Sequence, residues 1–190
     1  MKNPLILASS SPYRRELLAR LQLPFNSISP NIDETAHLNE PARKLAQRLA
    51  EQKALAISLK HPEAIIIGSD QVACVNGELL GKPGTQEKAI QQLMHCSGKT
   101  VTFHTGLCLQ LGNKVLSDSI EYHVEFRNFD KSTAQRYIRI EQPLDCAGSF
   151  KCEGLGVSLF KRQLGDDPTS LIGLPLIRTC EFLRELGVEV

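Results

Sequence analysis

The sequence predicts an α/β fold with a mixed sheet, and three observations carry that expectation. Strand-like and helix-like segments alternate along all 190 residues, without repeats, low-complexity stretches or a long linker. Two long β-rich runs, residues 100–111 and 114–126, are joined at Gly112-Asn113, a hairpin signal, so the sheet is not all parallel. The length suits one ordinary domain or two small lobes, and a chain of this size buries about 70% of its unfolded surface without disulfides or a structural metal.

Leu5-Ile6-Leu7-Ala8 reads as a short buried strand, and Ser11-Pro12 is an N-cap and first-position pair that opens a helix over 13–23, ended by Pro24. A strand at 25–29, an acidic loop at 31–35 and a long helix over 41–60 follow. Residues 64–75 read as a strand that turns at Asn76-Gly77 and returns through 78–80 to Gly81-Lys82-Pro83. Thr85 caps a helix to residue 94. Beyond the long hairpin come a short helix at 132–141, a loop and strand over 147–160, a polar loop at 165–169 and a closing helix over 175–186. Residues 1–190 read as one domain, with room for a second lobe built from about residues 82–143.

A net charge of +1 excludes a broad polyanion-binding surface, so nucleic acid is not an expected partner. Any basic cluster must be local and offset, which favours a small anionic ligand. The six cysteines contain no C-x-x-C pair, which argues against zinc or redox motifs and for reduced thiols in the cytosol. The apolar run at 5–8 is too short for a signal-peptide core and no segment approaches spanning length, so a soluble cytoplasmic protein with no membrane partner is expected.

Three places break the local rules. Arg14 and Arg15 fall in the first turn of the first helix, where the dipole costs a cation roughly 0.3–1 kcal/mol. A bound anion would remove that penalty, and Ser9, Ser10, Ser11 with unpaired N–H groups and two guanidinium forks suit a phosphate chain. A capped helix with two solvated arginines is the bland alternative, and this segment alone leaves both open. Lys53 interrupts the apolar stripe Leu45, Leu49, Ile57, so it either snorkels past the core edge or points into a cleft that wants positive charge. Asp70 shares a strand face with Ile66, Gly68 and Val72, which is costly unless it is paired, metal-bound or hydrogen-bonded. With Asp33 and Glu34 it could complete an oxygen set for Mg²⁺ or Mn²⁺. Gly98-Lys99-Thr100 is no P-loop, because position 93 is Leu93 and the triplet opens a strand. Gly154-Leu155-Gly156 lacks the third glycine of a dinucleotide fingerprint. There is no G-x-S-x-G, and the five histidines show no metal or triad spacing.

Five blocks in order, Leu5 to Arg15, Asp33-Glu34, Gly68-Ser69-Asp70-Gln71-Val72, Gly81-Lys82-Pro83 and Ala147 to Gly154, resemble the Maf family of nucleotide pyrophosphatases from about residue 5 to 186. The resemblance implies a two-lobed mixed-sheet α/β architecture of the inosine-triphosphate pyrophosphatase type, a central cleft and a homodimer. It implies hydrolysis of a nucleoside triphosphate to monophosphate and pyrophosphate with Mg²⁺ or Mn²⁺. By the same resemblance Asp70 is the catalytic proton acceptor, and an aspartate near metal and lysine suits a base. Ser9, Arg14, Lys53 and Lys82, with Arg15 beside them, are phosphate-binding, and Glu34 with Asp70 holds metal. Tyr13, Gln71 and Glu153 are similar to the positions that mark the subgroup acting on 7-methyl-GTP, although a tryptophan is common where Tyr13 stands. A pyrophosphatase for dTTP, UTP or another modified nucleotide, and a regulator that senses a nucleotide without hydrolysing it, are the competing readings. The regulator has little use for carboxylates that repel the ligand.

Overall fold

Four consecutive apolar residues are buried together only in a strand covered on both faces, and Leu5–Ala8 (β1) is one. The computed structural model describes residues 3–190. β1 pairs in parallel with β2 (Asn26–Ser27) on one side and β3 (Ile65–Val75) on the other. Leu5 and Leu7 join Leu17 and Leu18 of α1 (Pro12–Ala19) and Phe182 and Leu183 of α6 (Leu176–Glu185) in one core cluster. Ile6 and Ala8 face Ala50, Ala54 and Ile57 of α2 (Ala42–Ser58) in another.

The remaining elements are β4 (Glu78–Leu80), α3 (Gln86–Cys96), β5 (Thr100–Leu111), β6 (Lys114–Phe126), α4 (Lys131–Glu141), β7 (Phe160–Leu164) and α5 (Pro168–Ile172). Among the described residues they form a seven-stranded mixed sheet in the order β2-β1-β3-β5-β6-β7, with β4 antiparallel to β3. The Asn76-Gly77 turn has φ of 51° and 82°, the doubly left-handed backbone that two-residue hairpins need. The chain gathers into two compact units, one of residues 1–71, 105–120 and 167–190 and one of 72–104 and 121–166. The second unit has an aromatic core in which Phe103, Phe126, Phe150 and Phe160 meet edge to face, with ring centroids 5.1–5.4 Å apart.

Three expected elements differ. α1 stops at Ala19, and Gln22 turns left-handed at φ 55° well before Pro24. Of the loop and strand expected over 147–160, the loop is present and the strand lies later; Gly148 and Ser149 take φ of 76° and 65°, which a strand does not admit. Two short 3-10 turns, Ala147–Ser149 and Leu155–Leu159, stand there, and the strand begins only at Phe160. The polar loop at 165–169 runs into α5, whose N-cap Asp167 accepts a hydrogen bond from the Thr169 N–H just beyond Pro168. No helix among the described residues is long and apolar enough to cross a membrane.

Candidate active site

Small residues bring α2 against the sheet at backbone contact. A Cβ added to Gly68 of β3 would lie 2.2 Å from the Ala50 carbonyl oxygen, and one added to Gly106 of β5 would lie 2.1 Å from that of Ala46. Only glycine fits at either place. This close approach sets Lys53 of α2 beside Asp70, two residues along β3 from Gly68.

Lys53 is buried, and its Nζ donates to Asp70 Oδ1 at 2.6 Å while pairing with Glu34 Oε1, also at 2.6 Å. The lysine therefore does not snorkel; it gathers two carboxylates. Asp70 is buried with it, whereas the Glu34 side chain stays 55% exposed. Removing one partner of a buried pair leaves an uncompensated charge, at about 3–5 kcal/mol, so the three residues hold one another in place. The Glu34 loop is fastened from α2 as well. Arg48 Nε donates to Glu40 Oε1 at 2.7 Å, and its Nη2 to Glu40 Oε2 at 2.7 Å and to the Thr35 carbonyl at 3.0 Å. Asp33 accepts from the Thr35 N–H at 2.9 Å.

Arg14 completes the cluster. Ser11 caps α1 by accepting from the Arg14 N–H, and α1 has no acidic residue in its first turn. Burial pushes the Arg14 guanidinium below its usual value, and the negative charges of Asp70 and Glu34 push it back up. The anomaly in the helix therefore has neighbours that offset it. Arg14 Nε donates to the Gly173 carbonyl at 2.8 Å. Ser9, buried one residue beyond the Ala8–Gly68 pair, accepts from the Ser11 N–H through its Oγ. Arg15 is exposed and Tyr13 half-buried on the same helix.

Strand alternation sends Gln71 to the face opposite Asp70. Its Nε2 donates to the carbonyls of Ser170 at 2.7 Å and Leu171 at 3.0 Å, with Thr105 Oγ1 at 3.3 Å. Lys82 and Glu153 belong to the second unit, and both are exposed. Glu153 accepts from the Cys152 thiol at 3.2 Å, and the loop that bears it is held by Tyr137 Oη, which accepts from the Lys151 N–H, and by Glu141 Oε2, which accepts from the Leu155 N–H. Burial, and to a lesser extent the Glu153 charge, push the Cys152 thiol up to about 12. Sequence reasoning missed Ser69, Thr105 and Gly173, because their part rests on contacts across more than thirty residues of chain.

The donor chemistry fits a hard divalent cation. Carboxylate oxygens of Glu34 and Asp70 converge on one point, now held by the Lys53 ammonium, and oxygen donors suit Mg²⁺ or Mn²⁺. No group of three metal-ligating side chains gathers among the described residues.

The class the chain shows is a mixed seven-stranded α/β sheet with a buried lysine shared by two carboxylates, and an arginine whose charge those carboxylates support. A HAM1 protein from Coxiella burnetii shares the fold, with a TM-score of 0.53 covering 96% of this chain and 99% of that one at 15% identity. The Maf-like protein family model matches residues 4–186, and the chain belongs to the Maf family. It is 55% identical over 188 residues to a 7-methyl-GTP pyrophosphatase of Pseudomonas aeruginosa, covering 98% of each chain. It is 50% identical to a protein of the same description from Alkalilimnicola ehrlichii, covering 97% of this chain and 94% of the relative.

Proposed function

We propose that the protein is a nucleoside triphosphate pyrophosphatase that hydrolyses 7-methyl-GTP to 7-methyl-GMP and pyrophosphate. The observation that carries this reading is the buried Lys53 shared by Asp70 and Glu34 beside Arg14, supported by the names of the relatives. Arg14, Ser9, Lys53 and Lys82 are the cations and hydroxyl assigned to the phosphate chain. Glu34 and Asp70 would hold a divalent cation, which when bound supplies positive charge against the triphosphate and the charge developing on its oxygens.

Asp70 takes the proton of the attacking water at its carboxylate. The water oxygen bonds to phosphorus, the bridging bond between the α and β phosphates breaks, and pyrophosphate leaves with the electron pair. Lys53 fixes the carboxylate that must receive the proton, so base and phosphate ligand are set by one side chain. Tyr13 offers an aromatic face to the cationic 7-methylguanine ring, an attraction of about 0.5–2 kcal/mol. Glu153 accepts from the N1–H and N2 amino donors of that ring and repels the carbonyl edges of thymine and uracil. Incubation with 7-methyl-GTP and Mg²⁺ followed by product chromatography tests the reading. Monophosphate with pyrophosphate is expected; diphosphate with orthophosphate would sink it.

A further inference from the structure

We propose that Glu141, the last residue of α4, is a positioning residue for base selection, fixing the loop that presents Glu153. The inference rests on the reading of Glu153 as the group that meets the base, and its geometry lies wholly within the second unit. The loop has two firm anchors. On one side Phe150 is buried among the rings of Phe103, Phe126 and Phe160; on the other Leu159 is buried, and its carbonyl accepts from the Arg127 N–H at 3.0 Å. Between them residues 151–154 have no helix or strand to set their course. The loop also closes on itself, since a Cβ added to Gly156 would lie 2.2 Å from the Lys151 carbonyl oxygen.

Two residues one turn apart on α4 hold this loop from outside. Tyr137 Oη accepts from the Lys151 N–H at 3.0 Å and Glu141 Oε2 from the Leu155 N–H at 2.8 Å, so Glu153 stands midway between two tethered amides. The backbone next to Glu153 rests on the second tether, because a Cβ added to Gly154 would lie 2.7 Å from Glu141 Oε2. Helix physics argues that this carboxylate is there for the loop. Glu141 closes the last turn of α4, where the dipole disfavours an anion, and a charge-assisted bond from the Leu155 N–H offsets that cost. Tyr137 is buried; burial pushes its hydroxyl up, with smaller pushes from the Glu141 and Glu153 charges, so both carboxylates lie within electrostatic reach of one phenol. Without Glu141 the loop keeps its Lys151 tether and loses the one at Leu155. The Glu153 carboxylate has to meet two donors of one ring edge together, which is a demand on direction, so a loosened loop loses discrimination between bases.

The test compares the ratio of kcat/KM for 7-methyl-GTP to that for GTP in the parent, Glu141→Ala, Glu141→Gln and Glu141→Ala combined with Glu153→Gln. Hydrogen exchange of the Leu155 amide is measured alongside. Glutamine keeps an acceptor oxygen for the Leu155 N–H but removes the charge, so it separates holding the loop from attracting a cationic ring. Positioning predicts a ratio lowered about fivefold in Glu141→Ala and restored to within about twofold of the parent in Glu141→Gln. It predicts no further fall when Glu141→Ala is added to Glu153→Gln, and Leu155 exchange about tenfold faster in Glu141→Ala than in the parent. Equal losses on both substrates, a ratio that glutamine does not restore, or additive losses in the double variant would overturn it. Should Glu141→Ala fail to fold, Glu141→Asp draws the carboxylate back by one methylene and is expected to lower the ratio about threefold; an unchanged ratio overturns the proposal equally. A parent without preference for 7-methyl-GTP would end the base reading, while Leu155 exchange in Glu141→Ala would still decide whether Glu141 holds the loop: exchange at the parent rate overturns the positioning role by itself.

Discussion

The two units build their functional side chains in opposite ways. In the first, Lys53 and Asp70 stand on a long helix and a long strand pressed together at Gly68, and both are buried. In the second, Glu153 sits on irregular backbone between two 3-10 turns, exposed, on a loop whose Lys151 and Leu155 N–H groups donate to Tyr137 and Glu141. Chemistry that must hold a proton acceptor to within fractions of an ångström is served by regular elements, whereas recognition of a base tolerates a loop that adapts. The difference teaches where substitutions hurt. Substitutions at Lys53 and Asp70 are expected to act on rate or on folding, and substitutions at Glu153 on choice of substrate.

The largest effect is expected at Asp70. Asp70→Asn keeps the shape of the side chain but removes the proton acceptor, and should lower kcat by about 10²–10⁴-fold with substrate affinity largely kept. Turnover at the parent rate would return Asp70 to the role of a structural partner of Lys53. Gly68→Ala comes next. Its Cβ has no room beside the Ala50 carbonyl, so α2 must shift, at a cost of about 1–3 kcal/mol read from the urea midpoint. An unaltered midpoint would mean that the helix and strand are not pressed together as described.

A smaller effect concerns the clamp on the Glu34 loop. The hydrogen bonds from Arg48 hold the Glu40 carboxyl at about 2, below its usual 4.5. Because the folded value is the lower one, this stability is present above about 4.5 and is lost as pH falls toward 2. The pair is half-buried, with side chains 21% and 9% exposed, so Glu40→Gln should remove about 1 kcal/mol of acid-dependent stability, measured by denaturation at a series of pH values. A variant with the same slope as the parent between pH 5 and 2 would show that Glu40 contributes nothing there.

Much of this was legible in the sequence. Both long strands, Thr100–Leu111 and Lys114–Phe126, have the boundaries that their β-rich periodicity suggests. Each break in pattern at Arg14, Lys53 and Asp70 marks a member of one cluster, since a charge in an apolar stripe persists only with a partner. In the loop and strand expected over 147–160 the strand was placed too early: Ser149 adopts a left-handed backbone for which a serine gives no warning, and the strand begins only at Phe160. α5 could have been found, because Asp167-Pro168 is a capping pair, but its five residues are too few for a periodic signal. The hydrogen bonds from Gln71 to the Ser170 and Leu171 carbonyls join residues about a hundred positions apart and had no local trace.

The division between units is tested most directly by one crossed measurement. The kcat/KM values for 7-methyl-GTP and GTP are determined in the parent, in Asp70→Asn and in Glu153→Gln. Asp70→Asn should depress both values by the same factor and leave their ratio intact. Glu153→Gln should reduce the preference for 7-methyl-GTP by about tenfold while GTP hydrolysis stays near the parent rate, as expected when a charge-assisted contact to the base is lost. Equal losses on both substrates in Glu153→Gln, or a parent that favours dTTP or UTP over 7-methyl-GTP, would contradict the account.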